Sequence, residues 1–130
     1  MPRPVLLDTD VLVDFLRGHA GADACIEEYA DRVILSAVTV AELYAGVRGG
    51  DEDPEQTALA ELLSQFRIVA VSGAVAKLGG LYKRDYGAKH GLGLADAVIA
   101  ATATLEEASL KTLNTRHYPM FDGLSPAYRK

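Results

Sequence analysis

Cysteine is nearly absent from this chain, since Cys25 is the one cysteine among 130 residues. A disulfide within the chain and a thiolate metal cluster each need a second cysteine, so the sequence excludes both. Aromatic residues are also few, at 7%. The tyrosines are scattered, so we expect no platform on which several bases stack. The cysteine usage favours the cytoplasm as the compartment.

Long hydrophobic runs are missing as well. Asp, Glu or Lys interrupts each apolar stretch before it reaches the roughly 18 residues that span a bilayer. The N-terminal segment MPRPVLLDTD carries acids beside its apolar run and has no small-residue cleavage site, so it is not typical of a signal peptide. The sequence therefore predicts a protein that does not cross a membrane.

Basic residues are in deficit. The chain has 13 Lys and Arg against 18 Asp and Glu, a net charge of -5 at pH 7. This balance argues against a protein that holds nucleic acid through a broadly basic surface. It does not exclude an enzyme that acts on nucleic acid through a bound metal, because cations at clustered carboxylates offset part of the negative charge.

The composition that remains is that of one ordinary globular domain, which we place at residues 1–130, with 49% hydrophobic and 24% charged residues. Short apolar runs predict strands at residues 5–7, 33–35, 67–71 and 110–113. Helical spacing predicts helices at residues 39–47, 54–66 and 94–108, and glycines predict a loop at residues 87–93. The alternation indicates a three-layer α/β/α fold with a mostly parallel central sheet.

Oxygen-bearing side chains follow the predicted strands. Asp8 comes directly after the first strand and Glu42 lies in the helix after the second. Asp96 opens the alanine-rich segment LADAVIAATA, and Asn114 follows the fourth strand. The carboxyl ends of parallel strands meet at one edge of a sheet, so we expect these groups to gather there. Clustered acids repel one another unless a cation neutralises them, and hard oxygen ligands suit Mg²⁺ or Mn²⁺.

Four segments of the chain resemble the motifs of a known family. They are LLDTDVLVDFL, ILSAVTVAELYAGV, GLGLADAVIAATA and LKTLNTRHYPMF. In this order they are similar to the four motifs of PIN-domain proteins, in particular the VapC-type toxins of toxin–antitoxin systems. The resemblance implies an Mg²⁺- or Mn²⁺-dependent endoribonuclease that forms a homodimer and is held inactive by a cognate VapB-type antitoxin.

The resemblance also implies roles for particular residues. Asp8, Glu42 and Asp96 would be the metal-binding and catalytic acids. Asn114 falls where many relatives have a fourth acid; we include it in the catalytic set, and whether one or two ions bind stays open. Two basic residues follow, Arg116 and His117, and we expect them to contact RNA phosphate, which Arg recognises in a bidentate manner. An apolar, glycine-containing helix around residues 78–82 is a candidate surface for the homodimer.

Most of these residues also have a structural interpretation. Asp8 and Asp96 stand near helix starts, where an acid caps the helix or interacts favourably with its dipole. Glu42 and Asp14 can lie on solvated helix faces, and Asn114 can serve a turn.

Two other functions stay open. The segment VLLDTDVLV also resembles the haloacid dehalogenase-like phosphatases, in which Asp8 would be the covalent nucleophile, Asp10 the general acid/base and Ser36 the phosphate-binding hydroxyl. Against this, Val11 and Leu12 stand where that family has Gly-Thr. The other alternative is a non-catalytic PIN-like module that binds RNA or a protein.

Overall fold

The computed structural model describes residues 2–130, and a parallel β-sheet forms its centre. Within these residues the sheet has four strands in the order β3-β2-β1-β4. They are β1 (Val5–Leu7), β2 (Val33–Ser36), β3 (Arg67–Val69) and β4 (Ser109–Lys111). Every neighbouring pair is parallel, with Val5 beside both Val33 and Ser109. The predicted parallel sheet is confirmed.

Six α-helices connect and cover these strands in the described part of the chain. They are α1 (Thr9–Leu16), α2 (Ala20–Tyr29), α3 (Ala37–Ala45), α4 (Pro54–Leu63), α5 (Gly73–His90) and α6 (Leu94–Leu105). The side chains of Ser36, Asp53 and Ser72 accept backbone amide hydrogens at the starts of α3, α4 and α5. Caps of this kind stabilise a helix by about 1 kcal/mol each, so the sequence marks where these helices begin.

The sheet separates two hydrophobic clusters. Successive strand residues point to opposite faces. Leu7 of β1 therefore packs with Leu59 of α4 and other residues of the first four helices. Leu6, its neighbour in the chain, packs on the other side with Ile99 and Ala100 of α6. Helices thus cover both faces, as the three-layer prediction requires.

Two predicted strands have different ends in the structure. The third was expected over residues 67–71 but ends at Val69, because the amide of Ser72 donates to the carbonyl of Ala70 at 3.1 Å and turns the chain away. The fourth was expected over residues 110–113 but ends at Lys111. Thr112 leaves the sheet and donates through its hydroxyl to Asp8 at 2.8 Å. The end of β4 thereby becomes part of the edge described below.

The predicted loop at residues 87–93 is wrong in its first half, because α5 continues to His90. Gly87 lies inside the helix against the aliphatic part of Lys83, whose Nζ donates to the carbonyl of Leu92 at 2.9 Å. The helix ends at Gly91, which has a left-handed φ of 67°. Glycine adopts this conformation without the strain that other residues incur, so it stops the helix there.

The helix proposed for self-association is partly covered within the chain. Gly79 is buried, and a Cβ added there would lie 3.1 Å from Val98 of α6. Tyr82, one turn on, shares a 2.8 Å hydrogen bond with Thr104. The side of α5 that carries Gly79 therefore packs on α6, whereas Gly80 is exposed and a Cβ added there would meet nothing within 4 Å. The homodimer and its interface stay predictions. Among residues 2–130, no helix combines the length and apolarity that spanning a membrane requires.

Candidate active site

The edge of the sheet after the carboxyl ends of β1, β2 and β4 carries the predicted site residues. Asp8 directly follows β1 and is the N-cap of α1, with Oδ1 accepting from the Thr9 amide at 2.8 Å. Its other oxygen, Oδ2, accepts from the hydroxyls of Thr112 and Tyr118, each at 2.8 Å. The side chain is buried, with 4% of Asp8 exposed. The capping interpretation of Asp8 is thus correct, and Asp8 also lies at the predicted edge.

Glu42 reaches this edge from α3. It is exposed, and its Oε1 accepts from the Thr9 hydroxyl at 2.7 Å. The same hydroxyl lies 3.0 Å from that of Thr39, a fully buried residue one turn earlier in α3. Thr9 follows Asp8 in the chain, so one hydrogen-bonded chain of hydroxyls ties Glu42 to the start of α1.

Asp96 comes from the opposite layer, in the first turn of α6. Its Oδ2 lies 3.5 Å from Nδ1 of His117, and both side chains are about one-third exposed. Burial raises the pKa of Asp96, and the nearby charges of Asp8 and Glu42 raise it further. Asp8 and Glu42 therefore lie near enough to Asp96 for their charges to act on it.

Lysine and arginine do not neutralise these three acids within residues 2–130. The ion pairs that such side chains form there are Arg67–Glu106, Arg84–Asp85 and Lys130–Asp14. The site thus concentrates negative charge with little local compensation, which favours a bound cation.

Asp10 is a site residue that the sequence argument assigned to the phosphatase alternative. It does not extend along α1 but turns across the edge, where its Oδ2 accepts from the Leu113 amide at 2.9 Å and from Asn114 Nδ2 at 3.3 Å. Its Oδ1 is buried and has no hydrogen-bond partner among the described residues. Burial and the charge of Asp8 raise the pKa of Asp10 to about 6. A fourth carboxyl group therefore lies in the site.

Asn114, Arg116 and His117 follow β4 at the rim. Asn114 is exposed, and its backbone N–H donates to the Thr112 hydroxyl at 3.0 Å while its side-chain Nδ2 donates to Asp10, so it bridges Thr112 and Asp10 in a turn. Arg116 is exposed. Nδ1 of His117 is buried, makes no hydrogen bond within residues 2–130 and lies 3.5 Å from Oδ2 of Asp96. The structure therefore places Arg116 where it can meet a substrate and His117 beside a candidate ligand.

Two other sequence candidates lie outside the site. Asp14 is buried and accepts from Tyr128 at 2.7 Å and from Lys130 at 3.0 Å, so the expected solvated face is wrong. The Tyr128 hydrogen bond and Lys130 together lower the pKa of Asp14. Ser36 is fully buried and caps α3 through the Val38 amide, so its hydroxyl is not available to a phosphate group.

Tyr118 is the residue that the sequence analysis missed altogether. Its ring is buried, with 1% of the residue exposed, and its hydroxyl contacts Asp8. Burial, followed by the charge of Asp8, raises the pKa of Tyr118 far above its usual range. The hydroxyl therefore keeps its proton and acts as a donor. A tyrosine 110 positions from its acid gives no local sequence signal.

A cavity of about 480 Å³ opens beside Glu42. Its walls come from α1, α3 and α4 and include Val13, Leu43 and Leu59, with Arg17 at the side. Glu42 is thus accessible from this side of the molecule, whereas Asp8 is buried and does not line the cavity.

The donor set fits a hard divalent cation in its chemistry. It consists of carboxylate oxygens with hydroxyl and amide groups behind them, and Oδ1 of Asp10 is a buried oxygen still lacking a partner among residues 2–130. No three or more His, Cys, Asp or Glu side chains in that same range are arranged closely enough to form a finished coordination sphere. The edge therefore offers candidate ligands and negative charge, without a pre-assembled metal cage among the described residues.

Comparisons with known proteins agree with this arrangement. The model of the PIN domain family matches residues 5–120. Ribonuclease VapC10 of Mycobacterium tuberculosis is 36% identical over 127 residues, which cover 95% of this chain and 92% of that protein.

Solved structures give the same assignment. A chain of a toxin–antitoxin complex from Klebsiella pneumoniae superimposes with a TM-score of 0.81 at 27% identity, covering 97% of this chain and 99% of that one. A chain of FitAcB from Neisseria gonorrhoeae gives a TM-score of 0.71 at 32% identity, covering 88% and 90%. With the family model spanning the sheet, the acids and the turn after β4, the chain belongs to the PIN-domain family, in its VapC group.

Proposed function

We propose that this chain is a metal-dependent endoribonuclease, the toxin of a VapBC-type toxin–antitoxin pair. The observation that carries the proposal is the placement of Asp8, Glu42 and Asp96 at one sheet edge, where burial and then the charges of Asp8 and Glu42 raise the pKa of Asp96. Relatives named ribonuclease VapC and a structural neighbour from a toxin–antitoxin complex support RNA as the substrate and an antitoxin as the partner. Residues 1–130 would act as one PIN domain, in the cytoplasm, where cellular RNA is found.

Asp8, Glu42 and Asp96 would hold Mg²⁺ or Mn²⁺, with Asn114 at the rim of the catalytic set. When bound, such a cation activates water and stabilises the charge that develops on the phosphodiester. The chain's own contribution is to orient the acids: the Thr9 hydroxyl holds Glu42, and the Thr112 hydroxyl holds Asp8. Arg116 would bind an RNA phosphate. His117 would position Asp96 and face the same RNA strand.

The test of this function is the variant Glu42→Gln. The amide oxygen of Gln still accepts from Thr9, so the fold should survive while one negative charge is lost. Metal-based transition-state stabilisation contributes several kcal/mol, and each 1.36 kcal/mol is a factor of ten, so we expect cleavage to fall about 100-fold or more. Glu61→Gln is the matched control, because Glu61 is an exposed glutamate on α4.

The assay offers a mixed RNA pool and a small phosphomonoester, with Mg²⁺ or Mn²⁺ present and any co-purified partner removed. RNA cleavage that is lost in Glu42→Gln and kept in Glu61→Gln supports the proposal. Turnover of the phosphomonoester would contradict it in favour of a phosphatase. Binding of RNA without cleavage by the unaltered chain would contradict it in favour of a non-catalytic module.

A further inference from the structure

The Tyr118 hydroxyl is a buried polar group to which the proposed mechanism gives no task. It donates to Oδ2 of Asp8 at 2.8 Å from the side of α6. We propose that Tyr118 is a positioning residue for the cation, whose hydroxyl fixes the Asp8 carboxylate in the orientation that binds a divalent metal ion. The inference rests on the proposed function, because it deepens the metal site assigned there.

The hydrogen bonds of Asp8 show why its orientation matters. An ionised carboxylate offers about four acceptor positions, two on each oxygen. Oδ2 accepts from Thr112 and Tyr118, so both of its positions are taken. Oδ1 accepts from the Thr9 amide, which leaves one position. The two hydroxyls thus tie down Oδ2, and the acceptor position left for a cation is on Oδ1.

The Tyr118 ring is held firmly enough to act as a support. It packs in the cluster that contains Leu6 and Ile99, and it stacks on Phe121 with 6.4 Å between ring centroids. Its backbone amide donates to the carbonyl of Thr115 at 3.1 Å, which ties it to the 3₁₀ turn Thr115–His117. The direction of the hydroxyl is therefore set by the hydrophobic core. Groups that orient metal ligands in this way typically contribute 10- to 100-fold in metal affinity or activity.

A purely structural role for the hydroxyl predicts a different result. In that case Tyr118→Phe lowers stability and leaves the cation affinity of the folded protein unchanged. Tyr128 provides a matched control, since its hydroxyl donates at 2.7 Å to Asp14, another buried carboxylate, outside the site. Tyr118→Phe and Tyr128→Phe remove the same atom from the same kind of hydrogen bond, and only the first lies against a proposed metal ligand.

The experiment titrates Mn²⁺ into the full chain and its two Tyr→Phe variants, reading free Mn²⁺ by electron paramagnetic resonance. We expect the dissociation constant to rise about tenfold in Tyr118→Phe and to stay unchanged in Tyr128→Phe. In the RNA assay, Tyr118→Phe should regain most of its rate at saturating Mn²⁺, whereas Glu42→Gln should not. Equal Mn²⁺ affinity in all three proteins would overturn the inference.

Two further outcomes keep the test decisive. If Tyr118→Phe does not fold, Thr112→Val removes the other donor to Oδ2, and its Mn²⁺ affinity should fall in the same direction. Unchanged affinity there would count against the proposed positioning of Asp8. If the unaltered chain binds no Mn²⁺ at millimolar concentration, the metal site of the proposed function fails and this inference falls with it, a result distinct from equal affinity in all variants.

Discussion

Two aspartates on the same helix should respond in opposite directions to the same substitution. Asp10 and Asp14 both lie on α1, one turn apart. Burial and the charge of Asp8 raise the pKa of Asp10 from 3.8 to about 6, whereas hydrogen bonds from Tyr128 and Lys130 lower that of Asp14. We expect Asp10→Asn to stabilise the metal-free protein at pH 7 and Asp14→Asn to destabilise it.

The magnitude for Asp10 follows from linkage. A pKa raised by roughly 2 units at 1.36 kcal/mol per unit is an ionisation penalty of about 3 kcal/mol at pH 7, as an upper value. Asn keeps an acceptor for the Leu113 amide but loses the stronger charged hydrogen bond, so the net gain in unfolding free energy should be about 1–2 kcal/mol. Asp14→Asn loses its ion pair with Lys130, and we expect a loss of about 1–2 kcal/mol.

The pH dependence gives each effect its sign. Between pH 4 and 6 the native protein holds a proton on Asp10 that the unfolded chain has released, so its stability falls as the pH rises through this window. The advantage of Asp10→Asn should therefore shrink from pH 7 to pH 4.5. Asp14 behaves in the reverse way, because its contribution is present above about pH 4 and is lost as the pH falls through its lowered pKa.

Urea unfolding in EDTA at several pH values measures both effects. The reasoning is refuted if Asp10→Asn is less stable than the unaltered protein at pH 7. It is also refuted if the unfolding free energies of Asp10→Asn and of the unaltered protein change in parallel from pH 4.5 to 7. Asp14→Asn is the control, because it shows whether replacing any aspartate of α1 raises the unfolding free energy. If both variants gain stability, the cause is general charge repulsion and not the site.

Three further predictions concern ligands and assembly. Saturating Mn²⁺ at about 100 times its dissociation constant should stabilise the protein by about 2.7 kcal/mol. A melting temperature that Mn²⁺ does not raise would contradict the metal site, and so would an equal rise in the double variant Asp8→Ala, Asp96→Ala. Arg116→Ser should weaken binding of short RNA, measured by fluorescence anisotropy, and flatten its salt dependence; unchanged binding would remove Arg116 from the interface. The chain should self-associate at micromolar concentration, and a monomeric mass by light scattering throughout would contradict the homodimer.

Local patterns were sufficient to predict most of the fold. The first strand was expected at residues 5–7 and is observed at Val5–Leu7, because a short apolar run ends there at a capping acid. The helix predicted at residues 54–66 begins at Pro54, as expected of a proline in a first turn, and ends three residues early at Leu63. The parallel direction of the strands follows from such units, since strands joined through helices pair in parallel. Their order, β3-β2-β1-β4, was not predicted.

The features that the sequence did not reveal depend on contacts between distant residues. In the sequence Gly87 indicates a helix end. In the structure the Lys83 side chain covers Gly87 and its Nζ donates to the carbonyl of Leu92, so the helix continues. Asp10 joins the site because the chain after β4 offers it the Leu113 amide, 103 positions away. The sequence around Tyr118 indicates a core aromatic residue, and the contact of its hydroxyl with Asp8 is visible only in the structure. Each of these contacts forms only when the chain is folded, so no local sequence pattern predicts it.

Asp8 shows that the structural and functional interpretations of a residue need not exclude each other. Its Oδ1 caps α1 and its Oδ2 joins Thr112 to Tyr118, so it fastens the first helix to the segment after β4. Removing it would take away a cap, two buried hydrogen bonds and a proposed ligand together. Loss of activity in Asp8→Ala would therefore not separate misfolding from lost chemistry. Deleting a single hydroxyl behind Asp8 leaves the carboxylate and its cap in place, and this makes Tyr118 the more informative position for testing what the edge does.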